Sequence, residues 1–305
     1  MAALLEQLAI IDPQKSLALA KAEPNLLLKE KFTQAALRGW AHSAPIDAAR
    51  YALGILLPSS REACLNAVFS GAVAADPQQA IRAAQRLASE NPSDDVGLGN
   101  HLIDALCQSG HFQSAGEFAA AGDAHTRAFW IGNAFSRWAS FQPVQAAQAA
   151  SALSDTETQN QALHGVVGGW AQADPSSLVQ YVVNLPATSE KSSMIGQALQ
   201  RWAKVDPVAA SQWLNKNEGG PEMDQGIASV ATMEALKPDV AVGWAESISD
   251  PRLRSETLVS VLRTWSTTDL TATKSYLEKS KDLLPDDQDE MLGVLRTLSG
   301  QTAAQ

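Results

Sequence analysis

Residues 168–182 read GGWAQADPSSLVQYV, and residues 199–214 read LQRWAKVDPVAASQWL. The two stretches share Trp-Ala-x-x-Asp-Pro, with Trp170 and Trp202 standing 32 residues apart. Asp before Pro is a helix start. The carboxylate accepts from free N–H groups of the first turn, and proline at the first helical position gives up no hydrogen bond. The same proline disfavours helical geometry in the residue before it, so it also ends the preceding helix. The phrase therefore joins two helices: Trp-Ala-x-x closes a helix A, and proline opens a helix B.

Aligned on that proline, the chain falls into columns. Pro13, Pro45, Pro77, Pro143, Pro175, Pro207 and Pro238 form one, and Leu270 takes the same place in WSTTDLTATKSYL. Neighbours are 31 or 32 residues apart except for one gap of 66, which is two periods with a degenerate unit, CQSGHFQSAGEFAAAG, inside it. Five residues earlier stand Leu8, Trp40, Ala72, Trp138, Trp170, Trp202, Met233 and Trp265, with Cys107 holding the place in the degenerate unit. Three residues after the proline comes Ala48, Ala80, Ala146 or Ala210, small enough for helices to approach closely. Six after it comes Tyr51, Tyr181, Trp213, Trp244 or Tyr276. Tryptophan at the end of A and an aromatic in B are placed to pack inside one helical hairpin.

The breaks LPSSRE, NPSDD, LPATSE, GGPEMD and LPDDQDE separate each B from the next A. Ser59 with Glu62, and Ser154 with Glu157, have capping-box spacing. No strand-like alternation occurs. A fixed period of about 20–50 residues marks a stacked array, because one hairpin cannot bury its apolar face alone. The fold class read here is all-α: one α-solenoid domain over 1–305, with nine two-helix repeats plus a terminal helix closed by Leu298. Its degenerate unit spans about 93–141 and predicts a local change of superhelical pitch.

Gly110, Phe112 and Ala115 in the degenerate unit have the Gly-x-aromatic-x-x-Ala spacing of a tetratricopeptide repeat. At the level of hairpin and period the whole chain resembles the tetratricopeptide and Sel1-like α-solenoids. Its unit of 32 departs from their 34-residue consensus. The resemblance implies a right-handed superhelix whose concave groove, lined mainly by A helices, holds a protein or peptide.

Bulk composition narrows the partners. The formal charge is −10, most of it in the C-terminal half, and there is no Lys/Arg run. Nucleic acids and anionic membranes call for the opposite sign. Two cysteines, Cys64 and Cys107, cannot make a disulfide framework. The start, MAALLEQLAIID, lacks the basic region of a signal peptide, and no apolar stretch reaches the ~20 residues of a membrane span. The compartment is therefore cytoplasmic by default. The chain opens inside an A helix without a polar cap. That points to a fragment, or to an end covered by a partner or by end-to-end self-association.

The search for chemistry returns little. His101, Asp104, Cys107 and His111 cluster on and after one A helix, but Cys107 belongs to the tryptophan column and Ser109–Gly110 throws His111 into a turn. Asp94–Asp95, and Asp286, Asp287, Asp289 and Glu290, lie at helix starts, where the macrodipole already favours acids. No phosphate loop, nucleophile elbow or zinc motif is present. The expectation is a non-catalytic scaffold with no cofactor and no metal. The alternatives are a self-assembling element or a helical-toroid carbohydrate enzyme with facing carboxylates.

Gly39, Gly71, Gly168 and Gly169 sit just before the tryptophan column and read as close helix packing. Arg38, Arg263 and Arg296 stand two before that column, and Arg137 and Arg201 one before. They read either as a ladder of guanidinium groups for an acidic peptide or as cations solvated at helix ends. Trp130 lies outside both aromatic columns and is a candidate exposed contact residue.

Overall fold

The computed structural model describes residues 1–90, 95–185, 191–217, 220–221, 223–233 and 236–302. Asp94, the breaks NPSDD and LPATSE in most of their length, and the Leu298 side chain lie outside the described residues. The described residues form nineteen helices and no strand. They divide into two compact units, residues 1–169 and 170–305.

In the first unit the hairpins are α1 (Ala2–Ile11) with α2 (Pro13–Ala22), α3 (Leu26–Ala41) with α4 (Pro45–Leu53), and α5 (Pro58–Ala75) with α6 (Pro77–Glu90). They continue with α7 (Asp95–Gln108) and α8 (Phe112–Ala120), α9 (Ala124–Phe141) and α10 (Pro143–Ser151), then α11 (Thr156–Ala173), in which the division falls. The second unit continues with α12 (Pro175–Val183), α13 (Lys191–Val205), α14 (Pro207–Lys216), α15 (Asp224–Ala231), α16 (Pro238–Glu246), α17 (Pro251–Ser266), α18 (Leu270–Lys279) and α19 (Pro285–Thr302).

Odd-numbered helices are the A helices and even-numbered ones the B helices. In the first unit each A helix packs on the next, α1 on α3, α3 on α5, α5 on α7 and α7 on α9. In the second, α13 packs on α15, α15 on α17 and α17 on α19.

The Asp-Pro joints behave as their chemistry requires. Asp12, Asp76, Asp174 and Asp206 each accept from the backbone N–H three residues on, at 3.0, 3.1, 3.1 and 2.9 Å, with proline in the first turn. Asp269 does the same before Leu270, at 2.9 Å from Ala272 N. The two capping boxes do not form. Pro58 starts α5 two residues earlier than an N-cap at Ser59 requires, and Leu57 offers no side-chain cap. At α11 the carboxylate of Asp155 takes the Thr158 N–H at 2.9 Å, displacing Ser154. Gly110, at φ +80°, closes α7 in the left-handed region, and His111 N–H bonds back to Leu106 at 2.8 Å. That is the glycine-ended helix stop, and it places His111 outside the helix.

Where α1 meets α3, α3 meets α5 and α9 meets α11, the spacing of the A helices is set by glycine. A Cβ on Gly39 would overlap the Glu6 carbonyl, one on Gly71 the Arg38 carbonyl, and one on Gly169 the Ser136 carbonyl. Each glycine thus seats its backbone on the residue 33 positions earlier in the preceding A helix. Gly165 makes the same approach to Gly132, where a Cβ would lie 2.6 Å from the carbonyl oxygen. Gly168 is not part of the contact, since its Cβ would meet only the Ser136 hydroxyl at 4.0 Å.

Two outcomes follow for neighbouring residues. Gly169→Ala must push two helices apart and should lower stability by about 1–3 kcal/mol. Gly168→Ala, in open space, should raise it by about 0.5–1 kcal/mol through helix propensity. Thermal melts of the two variants read the difference.

The caps carry a pH dependence. Hydrogen bonds from Ser177 hold the Asp174 carboxyl below its ordinary value, as those from Thr158 do for Asp155. A depressed carboxylate stabilises the fold above the unfolded value of about 3.9, and this is lost as pH falls through the lower folded value. Asp174→Ala should cost about 1 kcal/mol near neutrality and less in acid, read by denaturant titration at pH 7 and pH 3.

Candidate functional site

Within the hairpins the two aromatic columns meet. Trp40 faces Tyr51 with ring centroids 6.1 Å apart, Trp170 faces Tyr181 at 4.9 Å, Trp202 faces Trp213 at 5.9 Å and Trp265 faces Tyr276 at 6.2 Å. Each ring pair joins the last turns of A to the middle of B. The Tyr276 hydroxyl also donates to Glu246 Oε1 of the preceding B helix at 2.8 Å. Burial pushes the Tyr276 phenol well above its ordinary range.

The hairpin of α9 and α10 departs from this pattern. Its tryptophan is Trp138, but the sixth residue after Pro143 is Ala149. Ala120, eighth after the start of α8, stands where Glu246 stands in α16. A cleft of 610 Å³ opens here between α8 and α10. Gln113, Gly116, Glu117 and Ala120 wall it on one side; Gln145, Gln148, Ala149 and Ala152 wall it on the other. Each wall is an i, i+3, i+4, i+7 stripe, hence one face of its helix.

Phe135 and Trp138 of α9 form the floor. Gly116 packs against both rings, where a Cβ would sit 3.4 Å from Phe135 and 3.6 Å from Trp138, and the rings are 2% and 7% exposed. The rings continue outward as a row. Phe135 meets Trp138 at 5.7 Å, Trp138 stacks on Phe112 at 6.3 Å, and Phe112 meets Phe141 at 5.7 Å. Phe141 is 71% exposed. Glu117 is the charged residue of the lining, and Gln113 donates to it at 2.8 Å.

The arginines take a different place. Arg38 of α3 pairs with Glu6 of α1 at 3.7 Å, and Arg263 of α17 pairs with Glu290 of α19. Arg137 of α9 lies 2.5 Å from Asp104 of α7 and donates to Asn133 at 3.0 Å. These three guanidinium groups tie an A helix to its neighbour, with carboxylates that the chain itself provides. Asn100–Asn133 at 2.9 Å, and His101 against Asn66 at 2.7 Å and Glu62 at 3.1 Å, continue the same seam. Burial outweighs Arg137 at Asp104, whose carboxyl is pushed above its ordinary value. Arg201 and Arg296 are exposed.

Trp130 is not an exposed contact residue. It is 5% exposed, stacks on Phe118 at 4.9 Å and donates its indole N–H to the Val96 carbonyl at 3.0 Å. Gly99 and Gly122 lack the side chains that would otherwise occupy its ring's place. The degenerate unit keeps a ring at the B-column place, Phe118, sixth after Phe112, and takes its partner ring, Trp130, from α9. Cys64 and Cys107 are buried thiols pushed up to about 11 and about 12 by desolvation. Among the described residues no three His, Cys, Asp or Glu side chains converge to hold a metal ion, and no helix is long and apolar enough to cross a membrane.

No family model, curated protein or solved structure matches this chain. The cleft residues were overlooked because alanine and glutamine carry no motif. Their signal was an absence, the missing aromatic six residues after Pro143.

Double-mutant cycles separate the two kinds of arginine contact. The exposed Arg263–Glu290 pair should couple by about 0.2–1 kcal/mol and weaken with salt. The Asp104–Arg137 pair, half-buried between α7 and α9, should couple by more and respond less to salt.

Proposed function

We propose that the chain is a non-catalytic protein-binding scaffold whose docking site is the cleft between α8 and α10. The observation that carries this reading is an open, mainly apolar cleft of 610 Å³ at the one tryptophan-closed hairpin whose second ring is replaced by alanine. That volume falls in the range of pockets that hold ligands, and its walls are helix faces with amide groups spaced along them. Each unit is read as a run of right-handed α-solenoid repeats of the tetratricopeptide and Sel1-like kind. The recurring glycine-to-carbonyl register supports it. An array of this type presents its ligand sites on surfaces that stay rigid because every repeat is packed on both sides.

The arginine ladder is the competing surface on the same scaffold. Arg38, Arg137 and Arg263 already face carboxylates of the chain, so an acidic peptide would have to displace them. Two affinity baits distinguish the surfaces: Ala152→Trp, which obstructs the cleft from an exposed position, and Arg201→Glu. A partner identified with the wild-type chain, then purified, should bind Ala152→Trp at least about tenfold more weakly by calorimetry, and Arg201→Glu normally. The reverse pattern moves the site to the A-helix face. Equal binding to both removes the cleft reading.

Self-association is a second reading with its own observation. Leu4 and Ile11 on α1 are 70% and 85% exposed on one helical face. If they join copies, sedimentation velocity will show a concentration-dependent oligomer that Leu4→Glu with Ile11→Glu abolishes; a monomer at all concentrations ends this reading.

A further inference from the structure

The repeats of this chain record what fits over a tryptophan of the A column. In four hairpins the cover is Tyr51, Tyr181, Trp213 or Tyr276, at centroid distances of 4.9–6.2 Å. At the hairpin of Trp138 the equivalent position is Ala149. The residue equivalent to Glu246, which receives the Tyr276 hydroxyl, is Ala120. Both truncations face the same cleft. The space therefore lies where the other hairpins carry a ring, and where the Tyr276 hairpin also carries an acceptor for its hydroxyl. Substitutes for that second group stand nearby, since Gln113, Gln145, Gln148 and Glu117 rim the opening. An amide or carboxylate oxygen can accept from a phenol.

The charges agree on a second property of the occupant. The charged group of the lining is the carboxylate of Glu117. At the outer end of the row of rings, Phe141 is 71% exposed and offers a ring face to a cation. The net charge of −10 draws basic partners toward the chain as a whole.

We propose that the cleft between α8 and α10 takes a tyrosine side chain of a partner peptide, with a lysine or arginine beside it meeting Glu117. The inference rests on the docking reading above and gives it a chemistry. Trp138 is 7% exposed and already stacks on Phe112, so the partner ring adds an edge contact beside Ala149, in the position that the B-helix ring holds in the other hairpins. Aromatic anchors in preformed pockets dominate many interfaces for the same reason: they exclude much apolar surface from water at small entropic cost.

The probe is an acetylated peptide, Gly-Lys-Tyr-Lys-Gly, titrated into the full ¹⁵N-labelled chain while the indole N–H signal of Trp138 is followed. Two controls replace its tyrosine by leucine or both lysines by glutamate. The tyrosine–lysine peptide should shift the Trp138 indole and the side-chain amides of Gln113 and Gln148. Each control should bind at least about tenfold more weakly.

Ala149→Tyr supplies the missing ring from within the chain. It should abolish the peptide response while leaving the protein folded, with a melting temperature equal to or above that of the wild type. Glu117→Gln, an exposed change, should weaken the lysine peptide and leave the glutamate peptide no weaker.

Peptide binding that persists unchanged in Ala149→Tyr overturns the proposal, because the ligand is then elsewhere. Equal response to the tyrosine and leucine peptides also overturns it, while leaving the cleft a docking site of other chemistry. Silence of the Trp138 indole to every peptide at about 1 mM overturns it too. In that case the docking reading is still decided separately, by the partner's loss of affinity for Ala152→Trp.

Discussion

Backbone rests on backbone where α1 meets α3, α3 meets α5 and α9 meets α11, and there this contact governs the spacing of the A helices. Gly39, Gly71 and Gly169 bring their own Cα against the carbonyls of Glu6, Arg38 and Ser136. No side chain intervenes, so the helices approach as closely as hard-sphere packing permits. Weak Cα–H···O contacts are available at that distance. Polar side chains flanking the seam can then reach across it, as Arg38 does to Glu6 and Arg137 to Asp104. At the seam of α1 and α3 the Arg38–Glu6 pair thus stands beside the contact of Gly39 with the Glu6 carbonyl.

The hairpins are closed by a second device, a ring pair between the last turns of A and the middle of B. Where both columns carry rings, as at Trp170 and Tyr181, the hairpin is filled from within. Where one ring is absent the chain compensates or leaves space. At the degenerate unit it compensates, with Phe118 stacked on Trp130. At Trp138 it leaves space, and Phe112 stacks on the tryptophan from the neighbouring hairpin instead. A binding site made by omission needs no catalytic group, and its walls are ordinary helix faces already held by the array.

Much of this was legible in the sequence. The Asp-Pro joints at Asp12, Asp76, Asp174 and Asp206 fall where the columns put them, as do the helix pairs on either side. Ser59 and Ser154 misled because a capping box is a spacing, and spacing yields to whichever residue first satisfies the free N–H groups. Trp130 stands outside both columns, a place that predicts exposure, yet its ring is buried. The glycines that admit its ring, Gly99 and Gly122, belong to other elements of the fold.

The sequence by itself determined the described helices and their pairing into hairpins, because capping, proline geometry and the Trp–Tyr spacing of 11 residues all act within one hairpin. Only the tertiary structure decided which surfaces remain open. Whether Arg137 faces solvent or Asp104, and whether Ala149 is one more small residue or the mouth of a cleft, depends on side chains some 30 residues away. Those distances are bridged by the packing of one hairpin on the next, and no local pattern encodes what lies across it.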